Sequence, residues 1–333
     1  MNEPRTSDHF DGRTFRNLTP RANGWAALLR WMASRNQGEW RTWSDSDPGP
    51  PPPAVVHGEA LRVTWVNHAT FLLQWHGMNI LTDPMWSERA SPVSWVGPRR
   101  VRAPGIRFQD LPRIHAVLLS HDHYDHFDVP TLLRLWQDHR PRIYTGYGNG
   151  RRLSELHICN VREMDWWDEI EDAQGVRVTC VPAQHFSGRT PFDRDTTLWC
   201  GFVLSPPQRA DDPGCVYFAG DTGFGPHFHH VAARFAPLRL ALLPIGAYLP
   251  EWFMGEVHCS PAQAIHAHRI LRAQTSIAGH FGTFPMADDS ETEAPEELRR
   301  LLRFEHHEGE FFIPDFGRAI DIAPLTIGRL KTG

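Results

Sequence analysis

Four side chains that can bind metal ions lie within six consecutive positions: His121, His123, Asp125 and His126. Neutral imidazole nitrogens and carboxylate oxygens are ligands of first-row metal ions, of which zinc is the usual one in such sites. If only two His were present, a polar loop that happens to be rich in His would explain them. Three His with a spaced Asp instead predict a metal centre.

The elements around this segment determine where it would lie in a fold. The short apolar run 116–119 comes directly before it and is typical of a buried strand. Leucines at 132, 133 and 135 predict a helix that begins at about Asp128. The cluster therefore lies between the carboxyl end of a strand and a helix, where α/β proteins collect their active sites.

Three further candidate ligands each follow a predicted strand in the same way. The strands at 176–182, 216–219 and 276–279 end shortly before His185, Asp221 and His280. Strand ends on one edge of a scaffold converge, so we expect a site for two metal ions. One metal would be bound by His121, His123 and His185. The other would be bound by Asp125, His126 and His280, with Asp221 as a bridge.

Such a bridging carboxylate would hold the two cations about 3.5–4 Å apart with room for a shared hydroxide, which is a nucleophile at neutral pH. We expect Asp221 and Asp125 to aim this hydroxide. Asp83 ends the third predicted strand and would orient the metal loop by hydrogen bonding from behind the ligands. His68, after the first strand, would do the same or would cap a turn.

Composition excludes several classes of protein. The chain has 333 residues, and 34 Lys+Arg against 39 Asp+Glu give a net charge of −5, so no basic field attracts nucleic acid. Its five scattered Cys contain no CxxC pair, which fits a reducing compartment. No signal peptide or membrane-spanning run is present. We expect a cytoplasmic protein.

Residues 1–59 differ in composition from the rest and are predicted to be an N-terminal extension of a catalytic domain at 60–333. Apolar residues at 25, 28, 29 and 32 predict an amphipathic helix. This helix would pack on the catalytic body or would meet lipid or a partner at an interface. The run that follows, 45–53, is rich in Pro and predicts a stiff linker.

Motifs between 61 and 284 together resemble a known family. They are Leu61-Arg-Val-Thr-Trp, His68-Ala-Thr, Leu81-Thr-Asp-Pro, Arg89-Ala-Ser-Pro, His121-x-His-Tyr-Asp-His, Asp165-Trp-Trp, Gln184-His185, Gly220-Asp-Thr-Gly, Pro244-Ile-Gly-Ala-Tyr and His280-x-Gly-Thr-Phe. They are similar to N-acyl-phosphatidylethanolamine-hydrolysing phospholipase D, in the metallo-β-lactamase fold superfamily. The resemblance implies an α/β fold, an αββα sandwich, with two zinc ions and phosphodiester hydrolysis.

The same motifs help to distinguish this chain from other members of the superfamily. True β-lactamases typically carry Cys or His where this chain has Asp221, and the flavodiiron oxidoreductases usually carry Glu in place of His123. Sugar-lactone hydrolases share much of the metal set and stay open. A different class, a metal-binding sensor or scaffold without turnover, also stays open. The ligand types accept iron or manganese as well as zinc.

The resemblance also suggests residues that meet the substrate, a lipid-like or small-molecule phosphodiester. His258 precedes a helix start at Ser260 and is our candidate for the leaving-group acid, with a structural His as the alternative. Tyr248, Trp252 and Phe253 would line an acyl groove or fill the core. The aromatic N-terminal helix would serve a peripheral contact with the inner face of the membrane or a homodimer.

Overall fold

The structure is a computed structural model that describes residues 7–211, 213–305 and 310–326. Its fourteen strands form two seven-stranded sheets within these ranges. The first sheet has the strand order β14-β1-β2-β3-β4-β5-β6. Its strands are β1 (Leu61–Asn67), β2 (Thr70–Trp75), β3 (Met78–Thr82), β4 (Ala116–Leu119), β5 (Arg142–Gly146), β6 (Val161–Met164) and β14 (Ala319–Ile322).

The second sheet has the order β13-β12-β11-β10-β9-β8-β7. Its strands are β7 (Glu169–Glu171), β8 (Arg177–Val181), β9 (Gly201–Ser205), β10 (Cys215–Phe218), β11 (Leu238–Pro244), β12 (Thr275–Gly279) and β13 (Phe311–Phe312). The helices are α1 (Trp25–Ala33), α2 (Val129–Asp138), α3 (Asn149–Glu155), α4 (His227–Phe235), α5 (Glu251–Met254), α6 (Pro261–Ile270) and α7 (Glu293–Glu305).

Buried side chains show how the layers pack. One cluster joins apolar residues of both sheets, such as Leu73 and Phe202, and extends to Phe228 in α4 and Leu298 in α7. A second cluster lies between the first sheet and the helices α2 and α3. Burying apolar area between these layers is the main force that holds them together. The predicted αββα sandwich is confirmed.

Strand direction explains why the candidate ligands meet. β3 and β4 are parallel, and β1 runs the same way because two antiparallel pairings separate it from β3. In the second sheet β10, β11 and β12 are parallel, and β8 shares their direction through β9. The carboxyl ends of all these strands therefore reach one edge of the sandwich, and the candidate ligands follow those ends.

The N-terminal segment lies along the sandwich. Gly49 N donates to the Gly105 carbonyl at 2.7 Å, and Gln74 Nε2 donates to the Pro53 carbonyl at 2.8 Å, so the Pro-rich run follows the surface of the body. The Trp31 ring of α1 stacks on Phe253 with centroids 5.2 Å apart. The boundary at 59/60 stays a prediction, and residues 1–6 and 327–333 of the two predicted segments lie outside the described residues.

Candidate metal centre

Three imidazole nitrogens converge on the first side of the site. His121 Nε2 lies 2.8 Å from His123 Nδ1, and His185 Nε2 lies 3.2 Å from the same atom. His121 and His123 come from the loop after β4, whereas His185 follows β8 in the opposite sheet. We call these residues the three-histidine group.

Hydrogen bonds on the far side of two of these rings turn the inner nitrogens toward one another. His185 Nδ1 lies 2.9 Å from the Val257 carbonyl, which can only accept, so Nδ1 carries the proton and Nε2 has a free lone pair. His121 Nδ1 lies 2.9 Å from the Ser120 hydroxyl. Outer partners of this kind fix the ring orientation that metal binding requires.

The second side combines a carboxylate with imidazoles. Asp125 Oδ2 lies 2.9 Å from His68 Nε2, 3.3 Å from His126 Nε2 and 3.7 Å from His280 Nε2. These four ligand atoms all lie within 4.8 Å of one another. We call Asp125, His126 and His280 the mixed group; His68 lies beside it, where its ring holds Asp125 as a supporting residue would.

Asp221 lies between the two groups. Its Oδ2 is 3.1 Å from His126 Nε2 and 3.0 Å from His280 Nε2, both in the mixed group. The same oxygen is 3.8 Å from His185 Nε2 in the three-histidine group. One carboxylate oxygen thus lies near nitrogens of both groups, as the predicted bridging ligand would.

Asp83, after β3, secures the loop from behind. Its Oδ2 accepts hydrogen bonds from His126 Nδ1 and Ser120 Oγ, both at 2.6 Å, and its Oδ1 accepts from the Ser120 amide at 2.7 Å. Because Nδ1 of His126 donates to Asp83, Nε2 is left to face Asp125 and Asp221. An orienting residue would make such contacts, and this role of Asp83 stays a prediction.

Backbone strain concentrates at this edge. Asp83, His68 and His280 have φ angles of +32°, +44° and +59°, which side chains with a Cβ adopt rarely. Such conformations persist only where surrounding contacts enforce them, and they cluster at functional sites. Gly220, just before Asp221, has φ +61°, and a Cβ there would lie 2.7 Å from the Ser120 Cβ. The close approach of the two sheets therefore requires glycine at this position.

Burial and charge act differently on the two groups. Burial lowers the pKa of His121 and of His185 well below the usual value, so both rings are neutral. Burial also opposes a charge on His126 and His280, but Asp221 and Asp125 outweigh it. They raise the pKa of His126 well above its usual value and that of His280 to about 9.

The carboxylates respond in the opposite direction. Burial works against ionising Asp125 and Asp221, but the neighbouring imidazoles, chiefly those of His126 and His280, outweigh it and hold the pKa of both carboxyl groups well below the usual value. Two buried carboxylates are thus ionised and require positive charge beside them. Protonated imidazoles or a bound cation would supply this charge.

Unpartnered atoms test whether the site fits a metal. Within the described residues, five buried atoms of the proposed ligands and of His258 make no hydrogen bond of standard geometry: His126 Nε2, His280 Nδ1, His280 Nε2, Asp221 Oδ1 and His258 Nδ1. Buried polar atoms without partners are costly and rare. Their donor types, imidazole nitrogen and carboxylate oxygen, suit a divalent metal, so the residues fit such an ion.

Comparison with known proteins identifies the family of the chain. Residues 78–281 match the model of the β-lactamase superfamily domain. The chain belongs to the metallo-β-lactamase superfamily. An uncharacterized protein of Mycobacterium tuberculosis is 38% identical over 261 residues, covering 76% of this chain and 68% of that protein. N-acyl-phosphatidylethanolamine-hydrolyzing phospholipase D 1 of Caenorhabditis elegans is 34% identical over 259 residues, covering 74% and 71%.

A metal-dependent hydrolase of Methanopyrus kandleri is 30% identical over 253 residues, covering 72% of this chain and 90% of that protein. Among solved structures, isothiocyanate hydrolase from Delia radicum gut bacteria superposes with a TM-score of 0.62 at 23% identity, covering 79% of this chain and 99% of that one. At this identity the likeness shows the fold. Family and fold together identify this superfamily member as a metal-dependent hydrolase.

His258 lies beside the bridging carboxylate. Its Nδ1 is 3.9 Å from Asp221 Oδ2, and burial lowers the pKa of its imidazole to about 3. The ring is therefore neutral at pH 7. It can donate a hydrogen bond through a ring N–H but does not carry a second proton to release.

The three residues predicted to meet the substrate lie in two different environments. Tyr248 borders a cleft of about 590 Å³ whose wall also has one cation, Arg300, but four glutamates, so this cleft is acidic; the glutamates are Glu251, Glu293, Glu296 and Glu297. Trp252 and Phe253 lie in α5 under the N-terminal helix, where Arg30 stands 4.5 Å from the Trp252 ring centroid. Their role in substrate binding stays a prediction.

Sequence patterns did not predict the contacts of two residues around the site. Asp122 lies inside the predicted cluster, but its carboxylate accepts from the Gly188 amide at 2.8 Å and pairs with Arg152 at 3.2 Å. It thereby ties the metal loop to the loop after His185. Asn17 contacts His185 from the distant N-terminal segment, and no spacing in the sequence connects the two.

Proposed function

We propose that the chain is a binuclear phosphodiesterase of phospholipase D type. Two zinc ions would be bound by the three-histidine group and the mixed group, with Asp221 as the bridge. The observation that carries the proposal is the placement of Asp221 Oδ2 within 3.8 Å of nitrogens from both groups. Iron or manganese would suit the same ligands.

The metal ions, when bound, would supply Lewis acidity and lower the pKa of an attacking water. The protein would supply orientation. Asp221 and Asp125 would accept hydrogen bonds from the water and aim it at phosphorus. His68 Nε2, 2.9 Å from Asp125 Oδ2, would hold that carboxylate in place. His258, neutral because it is buried, would donate a hydrogen bond to the leaving alcohol oxygen.

The proposed substrates are N-acylated phospholipids or similar lipid-like phosphodiesters. The motif resemblance and the similarity to the Caenorhabditis elegans phospholipase D support this class. Trp252, 42% exposed and five positions before Val257, whose carbonyl contacts His185, offers apolar surface for an acyl chain, whereas Phe253 is stacked on Trp31. The acidic cleft at Tyr248 would repel a phosphate, so Tyr248 would meet only an uncharged part of the substrate.

The helix α1 supports a peripheral contact with lipid. Trp25, Leu29 and Met32 are 63–64% exposed on one side of this helix, while Trp31 packs inward against Phe253. An exposed apolar helix face suits the interface of a membrane. Within the described residues, no helix has the length and apolar composition needed to cross one. We propose a cytoplasmic protein that attaches to the inner face of the membrane.

Metal analysis combined with a generic phosphodiester tests the catalytic proposal. We expect two metal ions per chain and turnover of bis-p-nitrophenyl phosphate that is lost on chelation and returns with zinc. Parallel reconstitution with iron and manganese identifies the metal that the site prefers. Two bound metals with no turnover of any ester would instead favour a sensor or scaffold.

A substrate panel then separates the hydrolase classes. N-acylated phosphatidylethanolamine should be cleaved to phosphatidic acid faster than the same lipid without the N-acyl group, and lactones should be inert. Preferred opening of lactones would assign the chain to the lactone hydrolases of the superfamily.

Sedimentation with liposomes tests the membrane contact. Because the N-terminal segment is hydrogen-bonded to the body, substitutions are a cleaner test than truncation. Changing Trp25, Leu29 and Met32 to Ser should reduce binding, whereas Leu133→Ser, an exposed leucine in α2, should not. Equal binding of both variants would rule out this face. The molar mass in solution, measured alongside, shows whether α1 joins two copies of the chain instead.

A further inference from the structure

We infer that Asn17 is a positioning residue of the metal centre, which fixes the main chain of His185. The inference rests on the proposed role of His185 as a metal ligand. Asn17 lies far outside residues 78–281, which match the superfamily domain, and belongs to the segment that precedes α1.

The Asn17 side chain makes both hydrogen bonds that a neighbouring strand would offer. Its Nδ2 donates to the His185 carbonyl at 2.7 Å, and its Oδ1 accepts from the His185 amide at 3.0 Å. No other described residue hydrogen-bonds these two main-chain groups. His185 has left the ladder of β8 at this point, so the asparagine amide replaces a missing strand partner.

A second pairing runs in the reverse direction and strengthens the first. Gln184 Nε2 donates to the Thr19 carbonyl at 2.8 Å, and the Thr19 amide approaches Gln184 Oε1 at 3.4 Å. Each of the two segments, the N-terminal one and the loop after β8, thus has a side-chain amide that is hydrogen-bonded to the main chain of the other. Trp199, a buried core residue, also donates to Asn17 Oδ1 at 2.9 Å, which anchors the Asn17 side chain to the core.

The position of His185 depends on two contacts with different functions. The Val257 carbonyl sets the rotation of the ring through Nδ1. Asn17 sets the place of the main chain from which the ring extends. His185 is 1% exposed, so loss of Asn17 would leave a buried N–H and C=O unpaired, and the loop would shift to satisfy them. A shifted main chain carries Nε2 away from His121 and His123.

The test compares two asparagines of the same segment. Asn23, like Asn17, is half-buried and donates to main-chain carbonyls, those of Trp252 and Phe253 at 3.1 Å and 3.3 Å, but it contacts no proposed ligand. We expect Asn17→Ala to weaken binding of one zinc ion by about tenfold to a hundredfold, the range for partners of metal-binding His. Asn23→Ala should bind both ions like the wild type.

Zinc affinity is measured by competition with a chromophoric chelator, and stoichiometry by elemental analysis. The visible spectrum of the cobalt-substituted protein reports the geometry of the site independently of activity, and Asn17→Ala should change it. Thermal unfolding of the metal-free variants measures the loss of fold stability separately. If alanine prevents folding, Asn17→Ser, whose shorter side chain cannot make both hydrogen bonds to the His185 main chain, is used in its place.

The outcomes separate the two levels of the proposal. A wild-type protein that binds no metal would overturn the metal centre and this inference with it. Two metals in the wild type, with unchanged affinity and cobalt spectrum in Asn17→Ala or Asn17→Ser, would overturn the role of Asn17 alone. Equal weakening in Asn23→Ala would show a general effect of the N-terminal segment and would likewise overturn it.

Discussion

The three-histidine group and the mixed group lie side by side, but they differ in the charge of their side chains. Burial keeps His121 and His185 neutral, and this group contains no carboxylate. The mixed group contains Asp125, shares Asp221, and raises the pKa of His126 and His280 so that protons balance the buried negative charge. A metal would therefore displace protons in the mixed group but would enter the three-histidine group without that competition.

This contrast gives the groups separate properties that experiments can distinguish. The mixed group should prefer harder, more oxygen-loving cations, since carboxylate ligands suit them, and its occupancy should depend on pH. The three-histidine group should hold zinc over a wider pH range. Asp221 couples the two, so changes at this residue should have the largest effect.

Asp221→Asn removes the charge that both groups share while keeping the size of the side chain. We expect hydrolysis of bis-p-nitrophenyl phosphate to fall by about two to three orders of magnitude or more, because charge stabilisation at the reacting atoms is the largest catalytic contribution. Kinetics and metal content are measured together, and metal should be lost first from the mixed group.

Asp289→Asn is the matched control, because Asp289 is also a buried Asp near the site and accepts from the Ala247 amide at 3.1 Å without being a proposed ligand. Its activity and metal content should stay close to those of the wild type. An Asp221→Asn variant with full activity would remove the bridge from the proposal.

Asp83→Asn should act on the mixed group through His126. The amide has one acceptor oxygen instead of two, so its NH2 group must face one of the three donors that Asp83 now binds, and the resulting shift disturbs the orientation of the His126 ring. Zinc affinity of the mixed group should fall by about tenfold to a hundredfold. Asp128→Asn, a buried carboxylate that accepts from the Ser87 amide at 3.0 Å, should leave metal binding unchanged. Equal effects of the two would contradict a specific role of Asp83.

Metal affinity of the mixed group should rise with pH. The pKa of His280, about 9 in the metal-free protein, lies above the ordinary 6.5, so below pH 9 a metal must displace its proton. Each displaced proton changes the affinity by up to about tenfold per pH unit. Chelator competition at pH 6.5, 7.5 and 8.5 measures this slope, and a flat profile for both metals would show that the groups do not differ.

The same shift has a consequence for stability. Because the folded-state pKa of His280 is raised, its contribution to the stability of the metal-free protein is fully present below about pH 6.5 and is lost as pH rises through about 9. Denaturant unfolding of the chelated protein across this range should show the loss. Unfolding of the zinc-loaded protein should not show it.

The smallest effect is expected from Ser260→Ala, at the start of α6. Ser260 Oγ accepts from the Gln263 amide, and Gln263 Oε1 accepts from the Ser260 amide in return, which completes a capping box. Loss of such a cap costs about 1 kcal/mol of the free energy of unfolding. Urea unfolding should detect this, while both metals stay bound. A loss of metal would show that α6 holds His258 and the mixed group more directly than the contacts suggest.

Much of the fold could be predicted because local patterns agree with the tertiary structure. The predicted strand at 116–119 is β4, and the helix expected from about Asp128 is α2, which has Asp128 as its N-cap. The predicted start of α6 at Ser260 is confirmed in detail. These elements are set by apolar runs, Pro and capping residues that act within a few positions.

Other elements could not be predicted because their causes are distant. Strand β14 pairs with β1 through Leu61 and Ile322, about two hundred and sixty positions apart in sequence numbering, and its own residues give little strand signal. The N-terminal segment offered two interpretations. In the structure α1 packs inward through Trp31 and exposes Trp25 and Leu29, so the packing interpretation describes one face, and contact of the other face with lipid or a partner stays a proposal.

The sequence by itself determined the chemistry of this protein: which side chains can bind metals, and which strand each of them follows. Spacing alone could bring His121, His123, Asp125 and His126 onto one loop, because six residues cannot separate them. Only the tertiary structure decided how His185, Asp221 and His280 meet that loop, and that Asn17 braces one of them. The physical reason is that the strands before these residues run in one direction and bury their apolar faces together, and no local pattern encodes that arrangement.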